Sequence, residues 1–245
     1  MILNCARLSL ANLLAPETRT TFWKILALTF LALIVLWFGV RGLFDAYLLP
    51  WLASDLPAMP DWTSWLGLIA AIAAGIGLAL GLAFLISPVT ALIAGFFLDG
   101  VASIIEKRDY PHEPQGKEMP LASALWGSVQ FLGVVILANI VALLMLFIPG
   151  VNLIAFFLVN GYLLGREFFE FAAMRYRSPQ EAKAFRAKHS SKVFSAGLLI
   201  AAFLAVPLLN LLTPLFAAGL MVHLHKALSQ KDRHFGTEEL AKSLR

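Results

Sequence analysis

The sequence predicts an all-α integral membrane protein, and three observations support this prediction. Hydrophobic residues make up 60% of the 245 residues and charged residues only 14%, whereas soluble domains carry about 25% charged residues. The apolar residues fall in long runs that need lipid as solvent. Because these runs differ in length, we expect two long transmembrane helices, two half-penetrating helical hairpins and an N-terminal amphipathic helix.

The N-terminal segment predicts a helix that lies on the membrane. Leucine and alanine recur there at helical spacing, with Asn4, Arg7 and Asn12 between them: Leu3, Ala6, Leu10, Leu13 and Leu14. Such an amphipathic pattern is typical of an interfacial helix. The apolar stretch 8–15 is too short for a cleavable signal peptide.

Two runs are long enough to cross the bilayer, residues 23–40 and 65–86. The linker between them contains three prolines and is rich in tryptophan, which suits a membrane interface. Gly77 and Gly81 have the spacing of a helix–helix contact, although glycine is common in membrane helices generally. A further segment begins at Pro88 and extends to about residue 105. We expect the charged stretch 99–120 to be a solvated loop.

Two later segments, residues 143–165 and 201–223, resemble each other. Each has two apolar arms around a Pro-x-x-Asn turn, Pro149 to Asn152 and Pro207 to Asn210. The arms 193–206 and 208–222 contain 14 and 15 residues, and crossing the hydrocarbon core takes about 20. A hairpin that enters and leaves on one side fits these lengths. A pair of short, tilted spanning helices is the alternative, and it is stronger for the first hairpin because residues 121–148 are long enough to span.

The charge distribution predicts the orientation. The linker 41–64 has one basic and three acidic residues, a net charge of −2. Residues 166–192 have seven basic and three acidic residues, a net of +4, and residues 226–245 have five and three, a net of +2. The positive-inside rule therefore places both termini in the cytoplasm and the first linker outside.

Residues that could support catalysis or metal binding are few. The sequence lacks the usual metalloprotease, nucleotide-binding and nucleophile motifs, so we do not expect an enzyme. The single cysteine, Cys5, excludes an internal disulfide and a cysteine-based metal cluster. His223 and His225 fall on different faces of a helix, which favours packing over metal binding. We predict no metal and no cofactor.

Polar residues inside apolar runs are costly in lipid unless they are satisfied. Five amides qualify: Gln130, Asn139, Asn152, Asn160 and Asn210. They indicate hydrogen bonds between helices or turn capping, with a hydrated path as the alternative. Arg166 and Glu170 have i,i+4 spacing and predict an ion pair at the interface, with a gate as the alternative.

One segment has the composition of an anion site. Thr18, Arg19 and Thr20 immediately precede the first spanning run, where free backbone N–H groups attract oxyanions. Arg19 adds a bidentate charge and the threonines add hydroxyl donors. The alternative is that Thr18 is an N-cap and Arg19 a topology signal.

Three segments resemble the CysZ sulfate-permease family. They read FIPGVNLIAFFLVNGYLLGREFFEFAAMRYR (147–177), AVPLLNLLTPLFAAGLMVH (205–223) and SPVTALIAGFFLDGVASIIE (87–106). Family members are similar in carrying a Gly-Leu-Arg-type anion motif before the first spanning helix. Here that place reads Glu17-Thr18-Arg19, so Arg19 matches the basic position and the glycine is absent.

The resemblance implies two spanning helices and two half-penetrating hairpins in a bacterial inner-membrane protein, with residues 1–230 as one CysZ-like domain and residues 231–245 as a polar cytoplasmic tail. It also implies homo-oligomers and passive, channel-like entry of sulfate that feeds cysteine synthesis. No nucleic-acid partner is expected. The alternative function is a non-transporting membrane scaffold or assembly protein that shares the fold.

Overall fold

The computed structural model describes residues 1–43, 93–118 and 151–243, together with isolated positions at 46–47, 65, 69, 75–77 and 89. Within these residues the chain is helical and has no strand, so the all-α prediction is confirmed. The helices are α1 (Ile2–Leu13), α2 (Pro16–Leu43), α3 (Leu98–Asp109), α4 (Val151–Met174), α5 (Pro179–Lys188), α6 (Ser190–Leu204), α7 (Pro207–Asn210) and α8 (Thr213–Ser243).

The chain forms two compact units. One contains Met1–Phe22 and Phe96–Arg245, and the other contains Trp23–Gly95. The first unit holds α1, the start of α2 and the helices from α3 onward. The predicted division at residue 230 falls inside α8, which continues to Ser243, and that division stays a prediction.

Helix α2 has the length of a membrane span. Its 28 residues extend about 42 Å, more than the hydrocarbon core of about 30 Å. Pro16 begins the helix, where its missing N–H costs no hydrogen bond. Among the described residues α2 is the one helix that is long and apolar enough to cross a membrane. The second predicted span, residues 65–86, lies almost entirely outside the described residues.

Helix α1 packs through its small and polar side chains. Cys5, Ser9 and Asn12 are buried, and the Ser9 hydroxyl donates to the Phe216 carbonyl of α8 at 2.7 Å. The opposite face carries exposed leucines, with Leu3 76% and Leu14 82% accessible. This helix is therefore amphipathic as predicted, and its apolar side faces away from the rest of its unit.

Helix α3 occupies part of the predicted loop. The charged sequence predicted a solvated loop from Asp99, but the helix continues to Asp109. Val101, Ala102 and Ile105 recur at helical spacing and are buried, while Lys107 and Arg108 complement the carbonyl end of the helix dipole. The loop proper covers residues 110–118.

Helices α4 and α6 cross at a glycine contact. A Cβ atom on Gly197 would overlap the Gly161 carbonyl oxygen and lie 2.8 Å from the Gly165 Cα atom. A Cβ atom on Gly165 would lie 2.9 Å from the Val193 carbonyl oxygen. Because the obstructing atoms belong to backbone, only glycine lets the two helices approach this closely.

The predicted second hairpin is present as a helix pair. Helix α6 ends at Leu204, the one-turn helix α7 contains Pro207 to Asn210, and α8 begins at Thr213. Phe203 and Phe216 stack across the arms with ring centroids 4.3 Å apart. The 15 residues of α6 extend about 22 Å, too short for the hydrocarbon core. The first arm and the proline of the other hairpin lie outside the described residues, and the depth of both hairpins in the membrane stays a prediction.

Candidate functional site

The predicted anion segment forms the first turn of α2. Because α2 begins at Pro16, Thr18 lies within the helix and is not its N-cap. The Arg19 N–H already donates to the Ala15 carbonyl at 2.9 Å, and the Thr20 hydroxyl donates to the Pro16 carbonyl at 2.9 Å. The Thr18 hydroxyl is buried and has no hydrogen-bond partner within the described part of the chain. Arg19 is exposed. Thr18 and Arg19 thus keep donors that a ligand can use, and Thr20 does not.

The other predicted polar residues are dispersed. The Asn160 amide donates to the Phe156 carbonyl in its own helix at 2.9 Å. Asn210 ends α7, and its backbone N–H donates to the Val206 carbonyl at 2.9 Å. The side chains of Asn152, Gln130 and Asn139 lie outside the described residues. The predicted roles of these amides stay predictions.

Arg166 and Glu170 approach each other as their spacing indicates. Arg166 Nε lies 3.4 Å from Glu170 Oε1. A second cation joins the pair, because Arg186 Nε of α5 lies 2.8 Å from the same oxygen. The Arg186 contact ties α4 to α5, whereas the Arg166 contact lies within α4. The Glu170 carboxylate, paired with two cations, is thus a structural contact between these helices in the described part of the chain.

A buried arginine that is not among the predicted site residues organises the region around α3. The Arg175 side chain is fully buried. Its Nε and Nη2 donate to the two Glu106 carboxylate oxygens at 2.9 and 3.0 Å. Nη1 contacts the Asp99 carboxylate, and Nη2 also donates to the Ser103 hydroxyl at 2.9 Å. This bidentate pairing fits the planar guanidinium and holds α3 against the end of α4.

The loop after α3 closes over this ion pair. The Gly116 N–H donates to Glu106 Oε2 at 3.0 Å, and the Lys117 N–H donates to the Arg175 carbonyl at 2.8 Å. A side chain at Gly116 would meet Arg175 and Glu106 atoms within 2.9 Å. Burial alone would raise the pKa of Glu106, but the hydrogen bonds and charge of Arg175 hold that pKa below its ordinary value.

A second polar group joins α1, α3 and α8. The Asn12 amide donates to Asp109 Oδ2 at 2.8 Å and lies 3.0 Å from His223 Nε2. Tyr110 OH lies 2.8 Å from His223 Nδ1. Because an amide nitrogen is only a donor, His223 Nε2 accepts and Nδ1 carries the proton. The group anchors the end of α1, four residues before Pro16 and the predicted anion segment.

Lys226 holds the loop from the α8 side. Its ammonium donates to Glu113 Oε2 at 3.0 Å, and the Gln230 amide donates to Glu113 Oε1 at 2.6 Å. Burial alone would raise the pKa of Glu113. The contacts with Lys226 and Gln230 outweigh that effect and hold the pKa below its ordinary value. No cluster of metal-ligating side chains occurs in the described ranges.

Comparison with protein families identifies the chain. The family described as sulfate transporter CysZ/etoposide-induced protein 2.4 matches residues 5–214. The chain belongs to this family. No curated protein matches it. Together with the apolar length of α2, this membership makes the chain a membrane protein of the CysZ family, and the predicted resemblance is confirmed.

The match begins inside α1 and ends just inside α8. The buried contacts of this CysZ-family protein extend beyond it, since His223, His225 and Lys226 lie on the remaining part of α8. Arg175 and Glu106 are 69 residues apart, and no local spacing rule pairs residues at that distance. The one available signal was that Arg175 directly follows the apolar residues Phe171–Met174 at the end of α4.

Proposed function

We propose that this protein lets sulfate or a related oxyanion permeate the bacterial inner membrane by a passive, channel-like route that feeds cysteine synthesis. Membership of a family whose description names a sulfate transporter carries this proposal. We place both termini in the cytoplasm, from the excess of basic residues in the later segments. The protein acts as a multi-pass homo-oligomer in this proposal, without catalysis, cofactor or nucleic acid.

The corner between α1 and α2 is the proposed substrate contact. Thr18 contributes a buried hydroxyl without a partner, and Arg19 contributes an exposed guanidinium for which no described residue supplies a carboxylate. A guanidinium and a hydroxyl at the N-terminal end of a long helix favour a divalent oxyanion. Thr20 has a weaker claim to this role because its hydroxyl donates within the helix.

Uptake of radiolabelled sulfate into proteoliposomes tests the proposal. Vesicles that contain the native protein should take up more labelled sulfate than empty liposomes do, without added ATP. Arg19→Ala should reduce the initial rate roughly tenfold, because a hydrogen bond to a charged group contributes about 1.5–3 kcal/mol. Arg7→Ala, which removes an exposed cation from α1, should leave the rate within twofold.

The alternative is a non-transporting scaffold or assembly protein with the same fold. The family description favours retaining this candidate, because it joins the transporter to an etoposide-induced protein. Uptake equal to that of empty liposomes would support the scaffold and reject permeation. Uptake that is unchanged by Arg19→Ala would be consistent with sulfate permeation but would reject the corner between α1 and α2 as the substrate contact.

A further inference from the structure

Two buried side-chain nitrogens without partners lie in one cluster beyond the end of α4. His225 of α8 is only 3% accessible, and its Nδ1 atom has no hydrogen-bond partner among the described residues. Arg177 follows α4 by three positions, and its Nε atom is likewise buried and without a partner. Buried polar nitrogens are normally paired, so two such atoms in one cluster point to a bound group.

Both atoms are donors. Arg177 Nη2 donates to the Ser229 hydroxyl oxygen at 3.0 Å, and that oxygen lies 3.4 Å from His225 Nε2. Since Ser229 accepts from Arg177 and keeps its own proton to donate, we assign that proton to His225 Nε2. The imidazole proton is then on Nδ1. In this tautomer, a ligand that bonds both Arg177 Nε and His225 Nδ1 is an acceptor.

Aromatic rings hold the two donors in place. The Arg177 guanidinium carbon lies 4.0 Å from the centre of the Phe185 ring. The His225 ring stacks on Tyr176 with centroids 5.2 Å apart, and it packs edge-on against Phe185 and Phe169. Such contacts restrict rotation of the imidazole and the guanidinium, which reduces the entropy lost when a ligand binds.

Among the charged groups near His225, Arg177 is the one cation of the described residues without a carboxylate beside it. The ionised groups that act most strongly on His225 are Arg177, Lys226 and Glu106. Arg175 is shared between Glu106 at 2.9 Å and the Asp99 carboxylate, and Lys226 pairs with Glu113 at 3.0 Å. Arg177 has no carboxylate within 4.0 Å in the described part of the molecule. The Arg177 guanidinium therefore has no direct counter-ion among these residues, and Glu181 acts on it only at longer range.

We propose that Arg177 and His225 bind a tetrahedral oxyanion, either a free sulfate or phosphate or the phosphate of a lipid headgroup. Arg177 supplies charge and one N–H, and His225 supplies a second N–H. This site is separate in sequence from Thr18 and Arg19, and the proposal stands whether or not the protein transports sulfate.

Equilibrium dialysis of the purified full-length protein with radiolabelled sulfate tests this site. The measurement uses an Arg19→Ala background, so that the proposed transport corner does not contribute. Arg177→Gln and His225→Phe should each raise the Kd by about tenfold or more, because each removes a donor from a charged cluster. Lys183→Gln, which removes an exposed cation from α5, should leave the Kd unchanged.

A spectroscopic readout separates binding from folding. In protein labelled with ¹⁵N-histidine, sulfate should shift the His225 Nδ1 resonance, assigned by its absence from His225→Phe. Competition distinguishes the sources of the ligand: displacement of sulfate by inorganic phosphate indicates a free oxyanion, and displacement only by short-chain phosphatidic acid indicates a lipid headgroup. Sulfate binding that is unchanged in folded Arg177→Gln and His225→Phe, with no histidine shift, would overturn the proposal even if sulfate uptake is observed.

Discussion

At the scale of single residues, Arg175 has the largest expected effect on stability. Replacement by methionine keeps most of the side-chain volume but leaves the Glu106 carboxylate buried without a partner. Breaking a buried ion pair from one side costs about 3–5 kcal/mol. We therefore expect Arg175→Met to lower the midpoint of thermal unfolding strongly, measured on the purified protein in detergent.

The pH dependence of the same variant tests whether loss of the Arg175–Glu106 ion pair causes the drop in stability. Folding lowers the pKa of Glu106 from its ordinary 4.5, so its pairing stabilises the protein above pH 4.5 and is lost as the pH falls through the folded pKa. The difference between the native protein and Arg175→Met should therefore shrink in acid. Lys183→Met, at an exposed position, should change stability by less than about 0.5 kcal/mol. A melting midpoint of Arg175→Met equal to the native one at pH 7 would contradict this role.

Local spacing decided which residue contacts the sequence could predict. Arg166 and Glu170 lie one turn apart on a helix, and their approach to 3.4 Å follows from that geometry. Arg186 joins the same carboxylate only because α5 folds back on α4. The same limit applies to Asn12 and His223, which are 211 residues apart. Such pairs arise from tertiary packing, for which sequence spacing holds no information.

At the scale of helices, the crossing of α4 and α6 depends on Gly197. An alanine Cβ there would overlap the Gly161 carbonyl oxygen and press on the Gly165 Cα atom. Neither backbone atom can move without separating the helices, so Gly197→Ala should destabilise the fold by about 1–3 kcal/mol. Thermal unfolding in detergent measures the effect.

Gly100 provides the matched control for this substitution. It also lies in a helix, α3, but a Cβ atom there meets nothing within 4 Å among the described residues. Gly100→Ala should therefore stabilise the protein by about 0.5–1 kcal/mol through helix propensity alone. Equal effects of the two substitutions would show that close approach at Gly197 is unimportant.

Helix positions were more predictable than helix ends. The turn at Pro207 was predictable because proline fixes φ and cannot continue a helix hydrogen-bond ladder, and α7 begins there. The start of the loop after α3 was misplaced by eleven residues, from Asp99 to Tyr110. Its charges suggested solvent, whereas Asp99 and Glu106 are held by the buried Arg175. Asp99 and Glu106 can therefore lie in a helix against the protein, although their charges in the local sequence suggested a solvated loop.

At the scale of the whole molecule, helix lengths determine which segments can cross the bilayer. Helix α2 exceeds the hydrocarbon thickness, and α6 falls short of it at about 22 Å. The length of α6 supports the predicted hairpin, which would return to the side from which it entered. The basic residues that flank it, Arg186 and Lys188 before and Lys226 and Lys231 after, lie on one side in this arrangement, as the positive-inside rule requires.

Thiol labelling in a Cys5→Ala background tests this arrangement. Val206→Cys places a thiol at the tip of the hairpin, where the side chain is 44% accessible, and Lys188→Cys places one on the exposed surface of α5. A membrane-impermeant maleimide should modify Lys188→Cys only in inside-out vesicles, and Asp55→Cys in the first linker only in intact cells. Because lipid excludes the charged reagent, Val206→Cys should resist it from both sides while reacting with a permeant maleimide. Modification of Val206→Cys in intact cells would mean that the tip emerges outside and that α6 spans the membrane.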